Sequence, residues 1–271
     1  MAPGIIANYM TIFHGFILGI IEGLTEFLPI SSTAHLIILS EWFRIPSSDF
    51  LKTFEISIQL GAILAVVVLY WKKILSSWNL VLKIGTAFIP TAIIGLILYK
   101  IVKQFLMDNL YIITGALIIG GIILILFEKY YSKKTISNDT QEITTISYRQ
   151  AIIIGLFQAL AIIPGVSRAA ATIIGGLSLG IKRKTIVEFS FLLAIPTMLA
   201  ATALDLYKTP LNFSNNELII WIIGFITAFI TAIIGVKFFL KFIQKNSFSS
   251  FGWYRIGLGI IVLVWILYFI K

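Results

Sequence analysis

The stretch of sequence that most constrains this chain reads Glu22-Gly23-Leu24-Thr25-Glu26-Phe27-Leu28-Pro29-Ile30-Ser31-Ser32-Thr33-Ala34-His35. It places two carboxylates, an imidazole and several hydroxyl groups within sequence that is otherwise apolar enough for a lipid bilayer. A charged side chain at the centre of a membrane costs about 2.5 to 3.5 kcal/mol on insertion scales. We therefore interpret this stretch as a functional site.

The spacing of its polar residues predicts two short helices with a break between them. Glu22 and Glu26 are four residues apart and therefore share one face of a helix. Pro29 is predicted to end that helix, because a proline disfavours helical geometry at the residue before it. The candidates for capping the next helix are Ser31, Ser32 and Thr33.

The start of the second short helix is a candidate anion site. Its free backbone N–H groups and hydroxyls would face the break, and such helix N-termini commonly hold phosphate. Ser32 and His35 are three residues apart, so both lie on the first turn of this helix.

The composition indicates a polytopic membrane protein. Of 271 residues, 59% are hydrophobic and 12% are charged, and the mean hydropathy is +1.00; a soluble domain does not have these values. Cysteine is absent, which excludes a thiol nucleophile. The net charge of +9 comes from Lys and Arg in short loops between apolar runs, which points to membrane orientation and not to nucleic acid.

The apolar segments repeat. Six of them are near the length that a bilayer requires, at residues 54–71, 84–99, 112–127, 186–204, 218–238 and 256–270. The segments around residues 8–45 and 151–180 are interrupted by Gly and Pro, so we predict a re-entrant helical hairpin for each. The predicted organisation is a first repeat at 1–130, a cytoplasmic linker at 131–149 and a second repeat at 150–271.

The two halves also align in sequence. Gly19 aligns with Gly155 and Glu22 with Gln158; after a one-residue gap, Pro29 aligns with Pro164 and Ser32 with Ser167. Three spans per half make the number of crossings odd, so the second half is inverted relative to the first. The predicted fold is an all-α polytopic integral membrane protein with an inverted-topology repeat, about six transmembrane helices and two re-entrant hairpins.

Charge distribution predicts the orientation. If the linker is cytoplasmic, the cytoplasmic segments carry fourteen Lys and Arg residues, Arg255 among them, and the outer segments carry six. Positive charge favours the cytoplasmic side, so both termini are expected outside.

The second break reads Pro164-Gly165-Val166-Ser167-Arg168 and is followed by Thr172. In an inverted repeat the two breaks meet near the midplane, where irregular backbone is tolerated only if protein or water satisfies it. Arg168 would then face Glu22, Glu26 and His35, and its planar fork suits a phosphate group.

Both motifs resemble those of the undecaprenyl pyrophosphate phosphatases, also called the bacitracin-resistance protein family. The resemblance extends through residues 188–196 to 205–208 and, in the order of spans, over nearly the whole chain. Ala34 stands where this family usually has Gly, and Ala169-Ala170 stands where it usually has Ser-Gly.

The resemblance implies hydrolysis of undecaprenyl diphosphate to the monophosphate and inorganic phosphate, and tolerance of bacitracin. It carries catalytic roles to Glu26, Ser32, His35 and Arg168. The expected substrate-binding residues are Glu22, Ser31, Thr33, Ser167 and Thr172.

Three mechanisms are compatible with the sequence. Ser32 is the nucleophile with His35 as base and Glu26 as the group that orients it, or His35 itself forms a phosphohistidine, or water attacks directly. Glu22 and Glu26 are also candidate ligands of a divalent cation, Mg²⁺ or Ca²⁺. No organic cofactor is expected.

The competing functions are a secondary transporter or lipid flippase, which would use the same inverted repeat, and a membrane scaffold, which leaves the buried charges unexplained. The expected partners are a polyprenyl diphosphate and membrane lipids, with no nucleic acid, and a homodimer is one candidate assembly. We expect the bacterial inner membrane and a site open to the extracytoplasmic side. Glu188 is expected to pair with Lys184.

Overall fold

The computed structural model describes residues 9–101, 106, 109–132, 142–208 and 213–269. Their regular structure is helical throughout. The ten α-helices of this part of the chain are α1 (Ile12–Thr25), α2 (Ser32–Trp42), α3 (Asp49–Ser76), α4 (Trp78–Ile101), α5 (Leu110–Ser132), α6 (Tyr148–Ala159), α7 (Arg168–Ser178), α8 (Arg183–Lys208), α9 (Asn215–Phe242) and α10 (Ser249–Phe269). Residues 133–141 of the predicted linker lie outside the described residues.

Six of these helices are long and apolar enough to cross a membrane: α3, α4, α5, α8, α9 and α10. They confirm the six predicted spans; five extend beyond both predicted limits and α10 beyond its first limit, because the polar ends of these helices are helical as well. Large apolar side chains such as Ile97, Ile119 and Ile261 are exposed on their surfaces. Such surfaces suit contact with lipid and not with water.

The short helices α1 and α2 flank the first break, which we define as residues 26–31. The prediction that Pro29 ends the helix was wrong in position, because α1 already ends at Thr25. Glu26 keeps helical backbone angles, and its N–H donates to the Glu22 carbonyl at 2.9 Å. The two carboxylates therefore remain one turn apart, as predicted.

The short helices α6 and α7 flank the second break, residues 163–167. A 3-10 turn at Leu160–Ile162 continues α6 toward Pro164, and α7 begins at Arg168. The order of two short helices and three long ones is thus the same in both halves.

Equivalent long helices run in opposite directions. Near the start of α3, Thr53 donates to Asp205 near the end of α8 at 3.3 Å. Near the end of α3, Lys73 pairs with Glu188 near the start of α8 at 2.5 Å. Since α3 and α8 are antiparallel, the repeat is inverted, which confirms that prediction. Glu188 pairs with Lys73 and not with the expected Lys184, because the neighbouring helix offers a closer cation.

The packing of the halves is mirrored. Helix α1 packs against α9, and its equivalent α6 packs against α4, the equivalent of α9. At both contacts a glycine allows the backbones to touch: a side chain at Gly19 would collide with the Gly224 carbonyl, and one at Gly155 with the Ala87 carbonyl. The alignment of Gly19 with Gly155 is confirmed.

The alignment of the breaks needs a correction. Ser31 and Ser167 are the N-cap residues of α2 and α7, and both have positive φ, 70° and 75°. They are related by the same spacing as Gly19 and Gly155, so the inferred one-residue gap does not exist. Ser31 corresponds to Ser167, and Ser32 corresponds to Arg168.

Candidate active site

The two breaks meet at an ion pair. Arg168 Nη2 lies 2.9 Å from Glu26 Oε1, although the two residues are 142 positions apart in the chain. Both residues are buried, with relative exposures of 8% and 6%. The predicted convergence of the carboxylate-bearing break and the guanidinium-bearing break is confirmed.

Glu26 is held on both oxygens. Its Oε1 accepts from Arg168, and its Oε2 accepts a very short hydrogen bond from the Ser32 hydroxyl. Ser32 is the first residue of α2, so its Oγ lies beside the free N–H groups of the helix N-terminus. A serine hydroxyl that donates to a carboxylate has a base within reach for its proton.

Glu22 is the least satisfied group in the site. It is fully buried, and neither of its carboxylate oxygens has a hydrogen-bond partner within the described residues. Its carboxylate is close to that of Glu26, so the two repel each other when both are charged and can share a proton when one is neutral. A buried carboxylate without partners is costly, so this position calls for a cation or a proton.

The donor set suits a hard divalent cation that is shared with a phosphate. Mg²⁺ is usually bound by one or two carboxylates together with substrate phosphate oxygens, and not by an all-protein cage. Among the residues that the structure describes, no group of three or more His, Cys, Asp or Glu side chains is arranged to hold a metal ion. Glu22 and Glu26 therefore fit the role of partial ligands, which the phosphates of a substrate would complete.

His35 is fixed by two hydrogen bonds, neither of which involves Ser32. Its Nδ1 lies 2.7 Å from the Ser31 carbonyl oxygen, one helical turn back. Its Nε2 lies 2.8 Å from the hydroxyl of Tyr254 on α10. The structure thus gives Ser32 a carboxylate partner, Glu26, and not the imidazole partner considered from the sequence.

Hydrogen bonds within the second half hold Arg168 in position. Its Nη1 donates to the Ser190 carbonyl oxygen at 2.6 Å, and its Nε is buried without a partner among the described residues. Thr172 is fully buried and shares a 2.6 Å hydrogen bond with the Ser190 hydroxyl. Thr172 therefore lies in the layer that positions Arg168.

Three further hydroxyl residues occupy the helix starts. Ser31 caps α2 by accepting from the Ala34 N–H at 3.4 Å, and Ser167 caps α7 by accepting from the Ala170 N–H at 3.2 Å. Thr33 is half-buried on the first turn of α2. These residues shape the two N-termini that face the ion pair.

Arg255 ties the two breaks together, and the sequence interpretation misplaced it. It was counted among the charges of the cytoplasmic segments, whereas its side chain is fully buried. Its guanidinium donates at 2.8 to 3.4 Å to five backbone carbonyls, those of Pro29, Ala116, Leu117, Gly165 and Val166. Carbonyls of irregular backbone at membrane depth must be satisfied inside the protein, and Arg255 does this for both breaks at once.

The sequence interpretation also missed Ser190 and Tyr254. A signal existed for Tyr254 and Arg255, because the pair directly precedes the apolar run predicted at 256–270. Ser190 belongs to the segment 188–196, which the family resemblance covered, but nothing in its spacing indicated a contact with Arg168.

The sequence of the chain matches a known protein family. The family model described as bacitracin resistance protein BacA matches residues 15–261. This range includes both breaks and all six long helices except the last residues of α10.

Curated relatives match over nearly their whole length. The chain is 52% identical over 256 residues to an undecaprenyl-diphosphatase of Sulfurihydrogenibium sp. (strain YO3AOP1), which covers 94% of this chain and 100% of that protein. It is 51% identical over 259 residues to the undecaprenyl-diphosphatase of Aquifex aeolicus (strain VF5), covering 96% and 100%. It is also 51% identical over 257 residues to that of Wolinella succinogenes, covering 95% and 99%.

Proposed function

The chain belongs to the bacitracin-resistance protein family, and from this premise we propose that it is an integral membrane phosphatase acting on undecaprenyl diphosphate. It releases undecaprenyl phosphate and inorganic phosphate. The reaction recycles the lipid carrier of peptidoglycan synthesis and removes the diphosphate that bacitracin sequesters. The observation that carries the proposal is the buried chain Ser32–Glu26–Arg168, which joins a hydroxyl, a base and a guanidinium.

The geometry favours Ser32 as the nucleophile. Its Oγ forms the bond to the terminal phosphorus while its proton passes to Glu26 Oε2, and the bond from that phosphorus to undecaprenyl phosphate breaks. Water then hydrolyses the phosphoserine to inorganic phosphate and restores the hydroxyl. Phosphohistidine formation at His35 is less well supported, because both ring nitrogens are engaged in hydrogen bonds.

Arg168 and the helix N-termini supply the electrostatic part of catalysis. Phosphoryl transfer depends mainly on positioning and on groups that stabilise charge on the transferring phosphoryl oxygens. The Nε of Arg168 has no partner within the part of the chain that the structure describes, which leaves a donor for such an oxygen. The N-termini of α2 and α7 add backbone N–H groups that bind anions.

We also propose Glu22 and Glu26 as the ligands that hold Mg²⁺ or Ca²⁺ against the diphosphate. The support is the unpartnered carboxylate of Glu22 beside Glu26. The ion would supply positive charge that offsets the charge of the substrate. Ser31, Thr33 and Ser167 are proposed to line the phosphate site, and Thr172 to keep its supporting layer in place.

We place the protein in the bacterial inner membrane with the site open to the extracytoplasmic side, on the strength of the Lys and Arg distribution. The chain has no cysteine, so single cysteines report orientation directly. Tyr207 lies in the last turn of α8 and Trp78 begins α4, and both are exposed. In intact cells an impermeant thiol reagent should label Tyr207→Cys and spare Trp78→Cys, and the reverse pattern would overturn the orientation.

Phosphate release tests the function. Purified protein in detergent should release phosphate from undecaprenyl or farnesyl diphosphate, and Ser32→Ala and Glu26→Gln should each lower kcat by about 10³-fold because nucleophile or base is lost. Ser178→Ala and Glu41→Gln are matched controls, since both residues are exposed and lie at the ends of α7 and α2 that are opposite to the ion pair. They should keep wild-type activity.

The same preparation separates the alternatives. A phosphoenzyme labelled on Ser32 supports the proposed mechanism, a label on His35 replaces it, and absence of any covalent label favours direct attack by water. If folded wild-type protein releases no phosphate, the enzyme proposal is wrong and the transporter or flippase alternative, which the relatives' names do not favour, returns.

A further inference from the structure

His35 has a partner on the last helix that the proposed mechanism does not use. The Tyr254 hydroxyl lies 2.8 Å from His35 Nε2. The two rings are parallel, with an interplanar angle of 1° and centroids 5.6 Å apart. The residues are 219 positions apart in sequence, so this contact is a product of the tertiary fold.

The hydrogen bonds determine which nitrogen of His35 carries the proton. The carbonyl oxygen of Ser31 can only accept, so the Nδ1 that lies 2.7 Å from it must be the N–H nitrogen. In the neutral imidazole Nε2 then has the lone pair, and the Tyr254 hydroxyl donates to it. Because Nδ1–H is tied to the backbone, Nε2 is the only ring nitrogen through which His35 can exchange a proton.

The position of Tyr254 is itself fixed. The next residue, Arg255, is bound to five carbonyls of the two breaks and of α5, which anchors this turn of α10. Tyr254 is 47% exposed whereas His35 is 8% exposed. The Tyr254 phenol is therefore the more exposed of the two rings, and its hydroxyl is the polar contact of His35 Nε2.

We propose that Tyr254 is a positioning residue for His35: its hydroxyl donates to Nε2 and so holds in one orientation the imidazole whose Nδ1–H tautomer the Ser31 carbonyl selects. This role rests on the proposed phosphatase function. Arg255 on α10 is close enough to His35 to act on it through its charge. Glu22, Glu26 and Arg168 are further charged groups of the site, and Glu26 and Arg168 pair with each other.

The tautomer can be observed directly because the chain has only two histidines. His14 accepts at Nδ1 from the Thr11 N–H at 3.2 Å, so its proton lies on Nε2. Protein labelled with ¹⁵N-histidine should therefore show two imidazoles of opposite tautomer, and a His14→Gln variant assigns them.

Tyr254→Phe keeps the ring and removes the hydroxyl. The Nε2 resonance of His35 should then move toward the value of a ring nitrogen without a hydrogen bond, while the His14 resonances stay in place. Finding the proton of His35 on Nε2 in the wild-type protein, or no movement in the variant, would overturn the proposal. This measurement does not depend on activity.

Kinetics tests the consequence. Tyr254→Phe should lower kcat by about 10-fold, the effect of one hydrogen bond on a barrier, and leave KM within about twofold. It should have no further effect in a His35→Ala background, because coupled residues are not additive. Tyr268→Phe changes an exposed tyrosine of the same helix and should match wild type.

Wild-type kcat in Tyr254→Phe, or an equal loss with and without His35, would contradict the positioning role. If wild-type protein releases no phosphate at all, the phosphatase proposal fails, and the ¹⁵N experiment still decides whether the Tyr254 hydroxyl holds His35 through Nε2.

Discussion

The two breaks have the same backbone arrangement and different chemistry. In each, a serine at positive φ caps a short helix through the N–H three residues later. The first helical residue then differs, being Ser32 in the first half and Arg168 in the second. A non-glycine residue at positive φ costs about 1 to 3 kcal/mol and persists only where its surroundings enforce it. Here the enforcement is shared, because Arg255 binds carbonyls of both breaks.

The same difference appears one helix earlier. Gln158 and Glu22 are equivalent and buried, but Gln158 donates to Thr91 at 2.9 Å and to Thr197 at 3.0 Å, whereas Glu22 has no partner among the described residues. The second half has a neutral amide whose nitrogen donates to the surrounding helices, while its Oε1 has no partner among the described residues. The first half has a charge that they do not satisfy, and an unsatisfied buried charge indicates a ligand.

The comparison shows how an inverted repeat can separate roles. Its duplicated backbone brings two helix N-termini together, and the side chains at equivalent positions divide the chemistry. The first break contributes the hydroxyl and the carboxylates, and the second contributes the guanidinium and its support. Each of the following variants tests this division.

The largest effect is expected at Arg168. Lysine keeps the charge, but a single ammonium cannot reproduce the fork that reaches both Glu26 and the Ser190 carbonyl. Arg168→Lys should therefore lower kcat by about 10²- to 10³-fold in phosphate-release assays. Arg149→Lys, at an exposed position of α6, is the control. A fully active Arg168→Lys would show that only charge matters at the second break.

An intermediate effect is expected at Glu22. Glu22→Gln should raise the divalent cation concentration needed for half-maximal activity by about 10-fold, since one of two carboxylate ligands is lost. In the presence of a chelator, no cation pairs with the Glu22 carboxylate of the wild-type protein. Removal of its charge should then cost no stability, so Glu22→Gln should not melt at a lower temperature than wild type. Unchanged cation dependence would remove Glu22 from the cation site.

The smallest effect is expected at Gln158. Gln158→Leu removes two interhelical hydrogen bonds, and such bonds contribute about 0.6 kcal/mol each on average in membrane proteins. Thermal melts should shift by a few degrees at most while kcat stays within about twofold. A large loss of activity would contradict the division, because it would give the second half a chemical role at the position of Glu22.

Several features of this protein could be predicted from local sequence. The six spans followed from apolar length, both breaks from Pro29 and Pro164, and the inverted repeat from the count of crossings. The predicted equivalence of Gly19 and Gly155 was also correct, because two helix backbones that pack in contact require glycine at the contact, and this glycine is visible in the sequence. The register of the breaks was wrong by one residue, because a capping serine is defined by its φ angle and not by its distance from a proline.

Other features depended on contacts that local sequence does not encode. Local spacing predicted Ser32 beside His35 on one helical turn. In the structure the Ser32 hydroxyl is hydrogen-bonded to Glu26, and the His35 imidazole to Tyr254. Arg255 had the appearance of a loop charge beside an apolar run and proved to be the buried link between the breaks. The sequence by itself determined the helices, the membrane class and the set of reactive groups, since hydropathy and helix breaking act over a few residues. Only the tertiary structure decided which of these groups are paired, because Arg168 and Tyr254, the partners of Glu26 and His35, come from helices more than a hundred residues away.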